Sequence, residues 1–160
     1  MFERTLEGEA ATEVVLSTFR ANGLLIAAGD ALSANEGLTS ARWQVLGAIA
    51  LAERPLTVPQ IARRMGITRQ SVHATVRNLA RDRLVELAPN ADHQRSSLVR
   101  LTERGSARYA AIDRRQAAWV NRLAEGIGRA RLEAAARVLD ELNRRLEGGL
   151  ETEPRKERVG

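Results

Sequence analysis

The chain has 160 residues, of which 44% are hydrophobic, so it can bury the core of one ordinary domain. It contains no cysteine, which excludes disulfides, thiolate zinc sites, thiol nucleophiles and thiol-based redox sensing. Only two histidines occur, His73 and His93, whereas most metal and acid–base sites need more imidazole. We therefore expect a protein that is not an enzyme and has neither a metal nor a cofactor.

The excess positive charge is concentrated in one part of the sequence. The formal net charge is +5, and all basic residues except Lys156 are arginines. Residues 61–108 contain ten arginines and four acidic residues, which gives a net charge of +6. The rest of the chain has a net charge of −1. A basic segment in a near-neutral protein is typical of proteins that bind a polyanion. A solvated surface with arginines that serve solubility would show the same pattern.

No segment has the pattern of a signal peptide or of a membrane span. The N-terminus mixes acidic and basic residues, and it lacks the basic-then-apolar order of a secretion signal. The longest apolar runs, Gly23–Gly29 and Leu46–Ala52, are far shorter than the ~20 residues that a membrane helix needs. We expect a cytoplasmic protein with no membrane partner.

The first fifty residues have a helical pattern. Apolar residues at helical spacing predict a first long helix over residues 9–33, followed by a linker at residues 33–38. Either Thr39 or Ser40 can cap a second helix, and Pro55 lies beyond its end.

Residues 57–83 carry the pattern of a helix-turn-helix. Thr57 and Gln60 have the spacing of a capping box at the start of a short helix. Gly66 supplies the left-handed residue that ends this helix, and Thr68 can cap the next one.

The second helix of this motif has one apolar face and one polar face. Val72, Val76 and Leu79 recur at i, i+4 and i+7, which predicts that this face is buried. The polar side chains can donate to phosphates and base edges in a major groove, although an ordinary helical hairpin would also expose polar residues. The residues predicted to contact DNA here are Thr68, Arg69, Gln70, Ser71, His73 and Arg77.

A β-hairpin is predicted directly after this helix. Residues 84–87 form its first strand, residues 89–94 its turn and residues 97–101 its second strand, with Val99 and Leu101 facing the core and Leu98 and Arg100 facing outward. A hairpin in this position is a wing whose tip can reach an adjacent minor groove. The wing-tip residues predicted to contact DNA are His93, Gln94 and Arg95, and Arg95 could also pair with Asp92.

These motifs resemble those of the multiple-antibiotic-resistance regulator (MarR) family. The resemblance is carried by GITRQSV at residues 66–72, Leu84-Val85, and Asn90 to Arg95 followed by LVRLTERG at residues 98–105. By motif it covers about Thr39 to Tyr109. The chain departs from the family at His93, where an aspartate usually stands two residues before the arginine.

The resemblance implies a winged-helix homodimer that binds palindromic operators. It further implies a repressor that releases DNA when a small, often aromatic or phenolic, effector binds. The effector pocket would lie between the first, second and fifth helices, with four residues as its predicted lining: Arg20, Trp43, Leu46 and Tyr109.

The last helices carry an apolar seam of their own. After Gly126–Gly128, leucines recur seven residues apart, which is the pattern of a helix–helix contact. Long helices that flank a small winged domain have too little core of their own chain to cover such a seam, so we expect it to contact a second copy. The predicted dimerisation residues are Leu132, Leu139, Leu142 and Leu146.

The sequence therefore predicts a mainly α fold with a small β wing. The N-terminal helix at residues 1–38 and the C-terminal helices at residues 105–147 are the expected dimerisation region. The winged helix-turn-helix DNA-binding domain is expected at residues 39–104 and a disordered tail at residues 148–160. The predicted function is sequence-specific regulation of transcription on double-stranded DNA; the alternatives are a nonspecific nucleoid or architectural DNA-binding protein and a winged-helix module that binds proteins.

Overall fold

A computed structural model describes residues 3–91 and 96–149. Within these residues the chain is mainly helical with one small antiparallel sheet, as the sequence predicts. The helices are α1 (Leu6–Ser33), α2 (Ser40–Ala50), α3 (Val58–Met65), α4 (Arg69–Arg81), α5 (Glu103–Ala124) and α6 (Arg129–Glu147), and a short 3-10 turn at Ala34–Glu36 follows α1. The strands are β1 (Leu56–Thr57), β2 (Val85–Ala88) and β3 (Leu98–Leu101).

The chain divides into two compact units, residues 1–117 and residues 118–160, and the boundary falls within α5. The first unit contains α1 to α4, the sheet and α5 as far as Ala117. The second contains the end of α5 and α6.

Threonine caps begin all five of the helices that start in the first unit. The hydroxyl oxygens of Thr5, Thr39, Thr57, Thr68 and Thr102 each accept a hydrogen bond from a backbone N–H three residues later. The Thr5 cap starts α1 at Leu6, three residues before the predicted start. Thr39 is the cap of α2, which decides between the two candidates that the sequence offers.

The predicted capping box and glycine turn of the helix-turn-helix are confirmed. The backbone N–H of Thr57 donates to Oε1 of Gln60 over 2.8 Å, and the Thr57 hydroxyl accepts from the Gln60 N–H. Gly66 ends α3 with a φ of 64°, in the left-handed region that costs glycine least.

The sheet has three strands in the order β1-β3-β2, and both pairings are antiparallel. The hairpin of β2 and β3 is the predicted wing. The strand β1 was not predicted, because two residues are too short to show an alternating pattern. Leu98, expected to face outward, is half-buried, because it pairs with Thr57 on one side and Ala88 on the other.

The core of the first unit lies between α2, α3, α4 and the sheet. Leu46, Ile61, Val72, Leu79 and Val99 are completely buried there. Burial of each such side chain stabilises the fold by about 1.5–3 kcal/mol. This core holds α4 and the wing in a common position.

In the second unit, α6 has no buried residue. Its surface carries ion pairs one turn apart, Arg129 with Glu133 and Arg145 with Glu141, each at 2.6 Å. The predicted disordered tail falls mostly on residues 150–160, which lie outside the described residues. None of the helices in residues 3–91 and 96–149 combines the length and hydropathy needed to cross a bilayer.

Candidate nucleic-acid interface

Helix α4 presents a polar face to solvent because its apolar face is fixed in the core. Val72, Val76 and Leu79 are all buried, as their spacing predicts. The side chains between them must then point outward. The helix is 13 residues long and begins at the Thr68 cap, whose hydroxyl accepts from the Ser71 N–H over 3.2 Å.

All of the side chains predicted to contact DNA from this helix are exposed. They are Thr68, Arg69, Gln70, Ser71, His73 and Arg77. The hydroxyls of Thr68 and Ser71 lie 2.8 Å apart and hydrogen-bond to each other, which orients both at the start of the helix. Whichever hydroxyl donates, the Ser71 oxygen keeps a lone pair, so it can still accept from an additional partner.

Four of these side chains share one groove with the base of the wing. Arg69, Gln70, His73 and Arg77 line a concavity of about 520 Å³ whose other walls come from α3 and the β2–β3 hairpin. Neither arginine has an ion-pair partner in residues 3–91 and 96–149. The groove therefore offers two free guanidinium groups, an amide and an imidazole, all of which can donate to phosphate or base oxygens.

The base of the wing is held by a cross-strand ion pair. Glu86 of β2 and Arg100 of β3 are directly opposite in the register, and Nε of Arg100 lies 2.8 Å from Oε1 of Glu86. Arg100 is thus engaged within the hairpin. The predicted wing-tip contacts at His93, Gln94 and Arg95, and the alternative pairing of Arg95 with Asp92, lie outside the described residues.

A second concavity of about 720 Å³ lies between α2, α3 and α5 and is lined by two aromatic side chains. Trp43 and Tyr109 were both predicted to line an effector pocket, and the structure brings them together here. The other two predicted residues are elsewhere: Leu46 is completely buried in the core, and Arg20 is exposed on α1 and does not line the concavity. We call this concavity the aromatic cavity; its remaining lining residues are Gln44, Gly47, Ala48, Leu51, Arg64, Met65, Asp113 and Gln116.

The polar groups of the two aromatic side chains differ in their hydrogen bonding. The indole N–H of Trp43 is buried and has no hydrogen-bond partner among the described residues. The Tyr109 hydroxyl donates to Oδ1 of Asp113 over 3.4 Å. Burial raises the pKa of Tyr109 above its ordinary value, and the Asp113 carboxylate raises it further. Asp113 and Gln116 follow Tyr109 at i+4 and i+7, a spacing that could have identified them in the sequence.

The predicted dimerisation leucines lie on α6. Their side chains are exposed in the single chain, except that of Leu142, which is half-buried. Within the described residues no group of three or more histidine, cysteine, aspartate or glutamate side chains is placed to hold a metal ion.

Comparison with known proteins gives the family. Residues 36–96 match the sequence model of the MarR family. A protein of Mycobacterium tuberculosis, described as uncharacterized, is 43% identical over 121 residues, which is 76% of this chain and 83% of that protein. The transcriptional activatory protein BadR of Rhodopseudomonas palustris is 28% identical over 99 residues, 61% of this chain and 57% of BadR.

A solved structure extends the likeness to the fold of nearly the whole chain. The crystal structure of the MarR family transcription regulator SP03579 matches with a TM-score of 0.73 and 26% sequence identity. The match covers 89% of this chain and 93% of that one. The exposed polar face of α4, the wing beside it and these likenesses agree, and the chain belongs to the MarR family of winged-helix transcription regulators.

Proposed function

We propose that this protein is a sequence-specific DNA-binding regulator that acts as a homodimer on a palindromic operator. The observation that carries the proposal is the polar face of α4, where Arg69, Gln70, His73 and Arg77 line one groove beside the wing. In this proposal residues 39–104 bind DNA, and residues 1–38 and 105–147 form the dimerisation region.

The residues of the α4 face take different roles according to their place along the helix. Gln70 lies in the first turn, where helix-turn-helix proteins place base-reading side chains, and its amide can bond adenine through two hydrogen bonds. Arg77 lies two turns further along, and we assign it to the phosphate backbone. On the strength of the sequence alone, Arg95 is assigned to the minor groove.

Dimerisation is supported by apolar side chains that the single chain leaves in solvent. Large contiguous apolar surfaces on a soluble protein are typical of interaction sites. Exposed apolar residues follow one another along α1, namely Leu16, Phe19, Leu24 and Leu25, and along α6, namely Leu132, Val138, Leu139 and Leu146. A second copy that covers these helices would bury them and would give the DNA-binding unit the two-fold symmetry that a palindrome requires.

Selection of bound sequences from a random DNA pool tests the specificity. The wild-type protein is expected to enrich two inverted half-sites whose centres are about one helical turn, or ~10 base pairs, apart. A matched variant, Gln70→Ala, is expected to retain DNA binding and to enrich a more degenerate motif. Recovery of no motif from the wild-type protein would identify a nonspecific architectural binder instead.

The aromatic cavity is the site that we assign to a small aromatic or phenolic effector. Its volume is within the usual range for ligand pockets, about 300–1,000 Å³. The ring of Trp43 offers a stacking surface, and the amide of Gln116 in the same lining can donate to a carboxylate or phenol oxygen. Occupancy of a cavity between α5 and the helices that support α4 would shift the DNA-binding unit, and we therefore propose that the effector releases DNA and that the protein represses transcription.

Calorimetric titration with salicylate, an aromatic carboxylate with a phenol, tests the effector site. Replacement Trp43→Phe keeps an aromatic ring but removes part of the stacking surface, and we expect it to lower affinity. Replacement Gln116→Ala removes an amide donor, and we expect affinity to fall roughly tenfold, the usual effect of one lost hydrogen bond to a charged group. The control Arg20→Gln is expected to bind as the wild type does, because Arg20 does not line the cavity. Equal affinity in the wild type and in both variants would show that the effector does not bind in the aromatic cavity. Transcription from an operator-bearing template, with and without the protein, then separates repression from the activation named for BadR.

A further inference from the structure

A third concavity, of about 400 Å³, lies where the 3-10 turn, the start of α2, the end of α4 and the start of α5 come together. We call it the arginine cavity, because five of its lining residues are arginines. These are Arg42, Arg81, Arg83, Arg104 and Arg108, and the acidic lining residues are Glu36 and Asp82. The charged lining therefore carries a net charge of +3.

Both carboxylates of the arginine cavity are already engaged by other groups. Asp82 accepts from the guanidinium of Arg42. Glu36 is shared between Arg108, whose Nε lies 3.7 Å away, and Arg115, whose Nη2 lies 2.5 Å away. Neither acid has capacity to neutralise the remaining cations.

The other arginines of the cavity lack acceptors. Arg83 and Arg104 have no side-chain hydrogen bond or ion pair among the described residues, and Nε of Arg81 lies 3.9 Å from Asp82, beyond hydrogen-bond distance. Even Arg42, which is paired, keeps a buried Nε without a partner in the described part of the chain. Guanidinium groups that surround one concavity repel each other unless an anion lies between them.

The backbone at Arg83 is held in a fixed conformation beside the cavity. Its φ is 56°, in the left-handed region that glycine adopts at no steric cost and other residues adopt rarely. The neighbouring bonds hold this conformation: the Leu84 N–H donates to the Leu79 carbonyl over 2.9 Å, and the Thr102 hydroxyl donates to the Arg83 carbonyl over 2.8 Å.

We propose that the arginine cavity binds a small anion that carries a phosphate group. Guanidinium groups present paired N–H donors in a plane, which matches the oxygens of a phosphate and allows bidentate contacts. The cavity lies at the C-terminal end of α4, about 16 Å of helix beyond Gln70 but only one turn beyond Arg77, which we assign to the DNA backbone. The phosphates of bound DNA are therefore the competing source, and the DNA experiment below distinguishes them from a free phosphorylated compound. The proposal does not depend on the function proposed above.

Binding of inorganic pyrophosphate to the full chain tests this site. Calorimetric titration and thermal unfolding would be carried out at constant ionic strength, with sodium chloride adjusted to match each pyrophosphate concentration. We expect saturable binding and a rise in Tm for the wild type, and at least roughly tenfold weaker binding for Arg83→Gln/Arg104→Gln, which loses two charged donors.

The matched control removes the same charge elsewhere. Arg114 and Arg122 are exposed on α5 and have no ion pair among the described residues, so Arg114→Gln/Arg122→Gln should bind pyrophosphate as the wild type does. Equal binding by both double variants, or binding that does not saturate, would overturn the proposal in favour of nonspecific charge. Because the replaced side chains are exposed, unfolding in chloride alone should give similar Tm values for all three proteins.

A DNA-binding experiment distinguishes a free phosphorylated compound from the phosphates of bound DNA. The salt dependence of DNA affinity is measured for the wild type and Arg83→Gln/Arg104→Gln, and we expect equal slopes. A slope reduced by about two, with no pyrophosphate binding by the wild type, would assign these arginines to the DNA backbone and overturn the proposal of a small anion.

Discussion

Gly105, near the start of α5, lies directly against the backbone of Leu84, the residue before β2. A Cβ at position 105 would be 1.9 Å from the Leu84 carbonyl oxygen and 2.9 Å from its carbonyl carbon. The Leu84 carbonyl also accepts from the Thr102 N–H over 3.2 Å. This close approach ties the first turn of α5 to the junction between α4 and the wing, which is the element that positions the polar face of α4.

Gly105→Ala should therefore destabilise the protein although alanine is the better helix former. We expect a loss of about 3 kcal/mol in the free energy of unfolding, because the obstructing atoms are backbone and cannot rotate away. Denaturant unfolding measures the change. The control Gly23→Ala, where a Cβ meets nothing within 4 Å in the middle of α1, should instead stabilise by about 0.5–1 kcal/mol. If Gly105→Ala left the free energy of unfolding unchanged, that result would contradict the close contact.

Tyr109 is the only tyrosine in the chain, so its ionisation can be followed directly by ultraviolet absorbance. Burial and then Asp113 raise its pKa above the ordinary value of 10.0, and the titration midpoint of the folded protein should lie above that value. Asp113→Asn should move the midpoint down, because it removes the second cause and leaves the first.

The same shift has a definite sign in stability. Since the folded protein holds the tyrosine proton more tightly than the unfolded chain does, the stabilisation is fully present below pH 10. It is lost as the pH rises through the higher pKa of the folded state. When Tm is measured as the pH rises above 10, it should fall less steeply for Tyr109→Phe than for the wild type. An equally steep fall in both proteins would show that other groups cause it.

DNA contacts from α4 should separate by kind. Gln70→Ala should cost roughly 1–3 kcal/mol on the best operator and little on scrambled DNA, because it removes a base contact. Arg77→Ala should weaken both DNAs alike and reduce the salt slope by about one, because it removes a phosphate contact. Arg95→Ala should lower DNA affinity most when the sequences that flank the operator are A·T-rich. Binding isotherms on both DNAs at two salt concentrations measure all three, and uniform losses would favour an architectural binder.

The proposed dimer should depend on the leucine seam of α6. Replacing Leu139 and Leu142 with glutamate would put unpaired charges into an apolar interface, and we expect dissociation to monomers at micromolar concentration. Sedimentation velocity measures the state. Leu139→Met/Leu142→Met keeps the apolar volume and should remain dimeric. A wild-type protein that sediments as a folded monomer would remove both the dimer and the argument for a palindromic operator.

The sequence by itself determined the features that arise within one or two helical turns. The capping box of Thr57 and Gln60, the turn at Gly66 and the buried face of α4 depend on residues at most seven positions apart, and all appear as expected. The resemblance of the winged-helix motifs to the MarR family depends on the same short stretches.

Tertiary structure alone decided which distant residues share a site. It paired the two residues of β1 with β3, and it turned Leu46 into the core and left Arg20 outside the cavity that Trp43 and Tyr109 line. It also gathered the arginines of the arginine cavity from α2, α4, the loop that follows α4, and α5. Such groupings depend on how packed helices cross, which hydrophobic burial sets for the whole domain at once. No local spacing in the sequence encodes them, because each helix face is compatible with many partners until the core is closed.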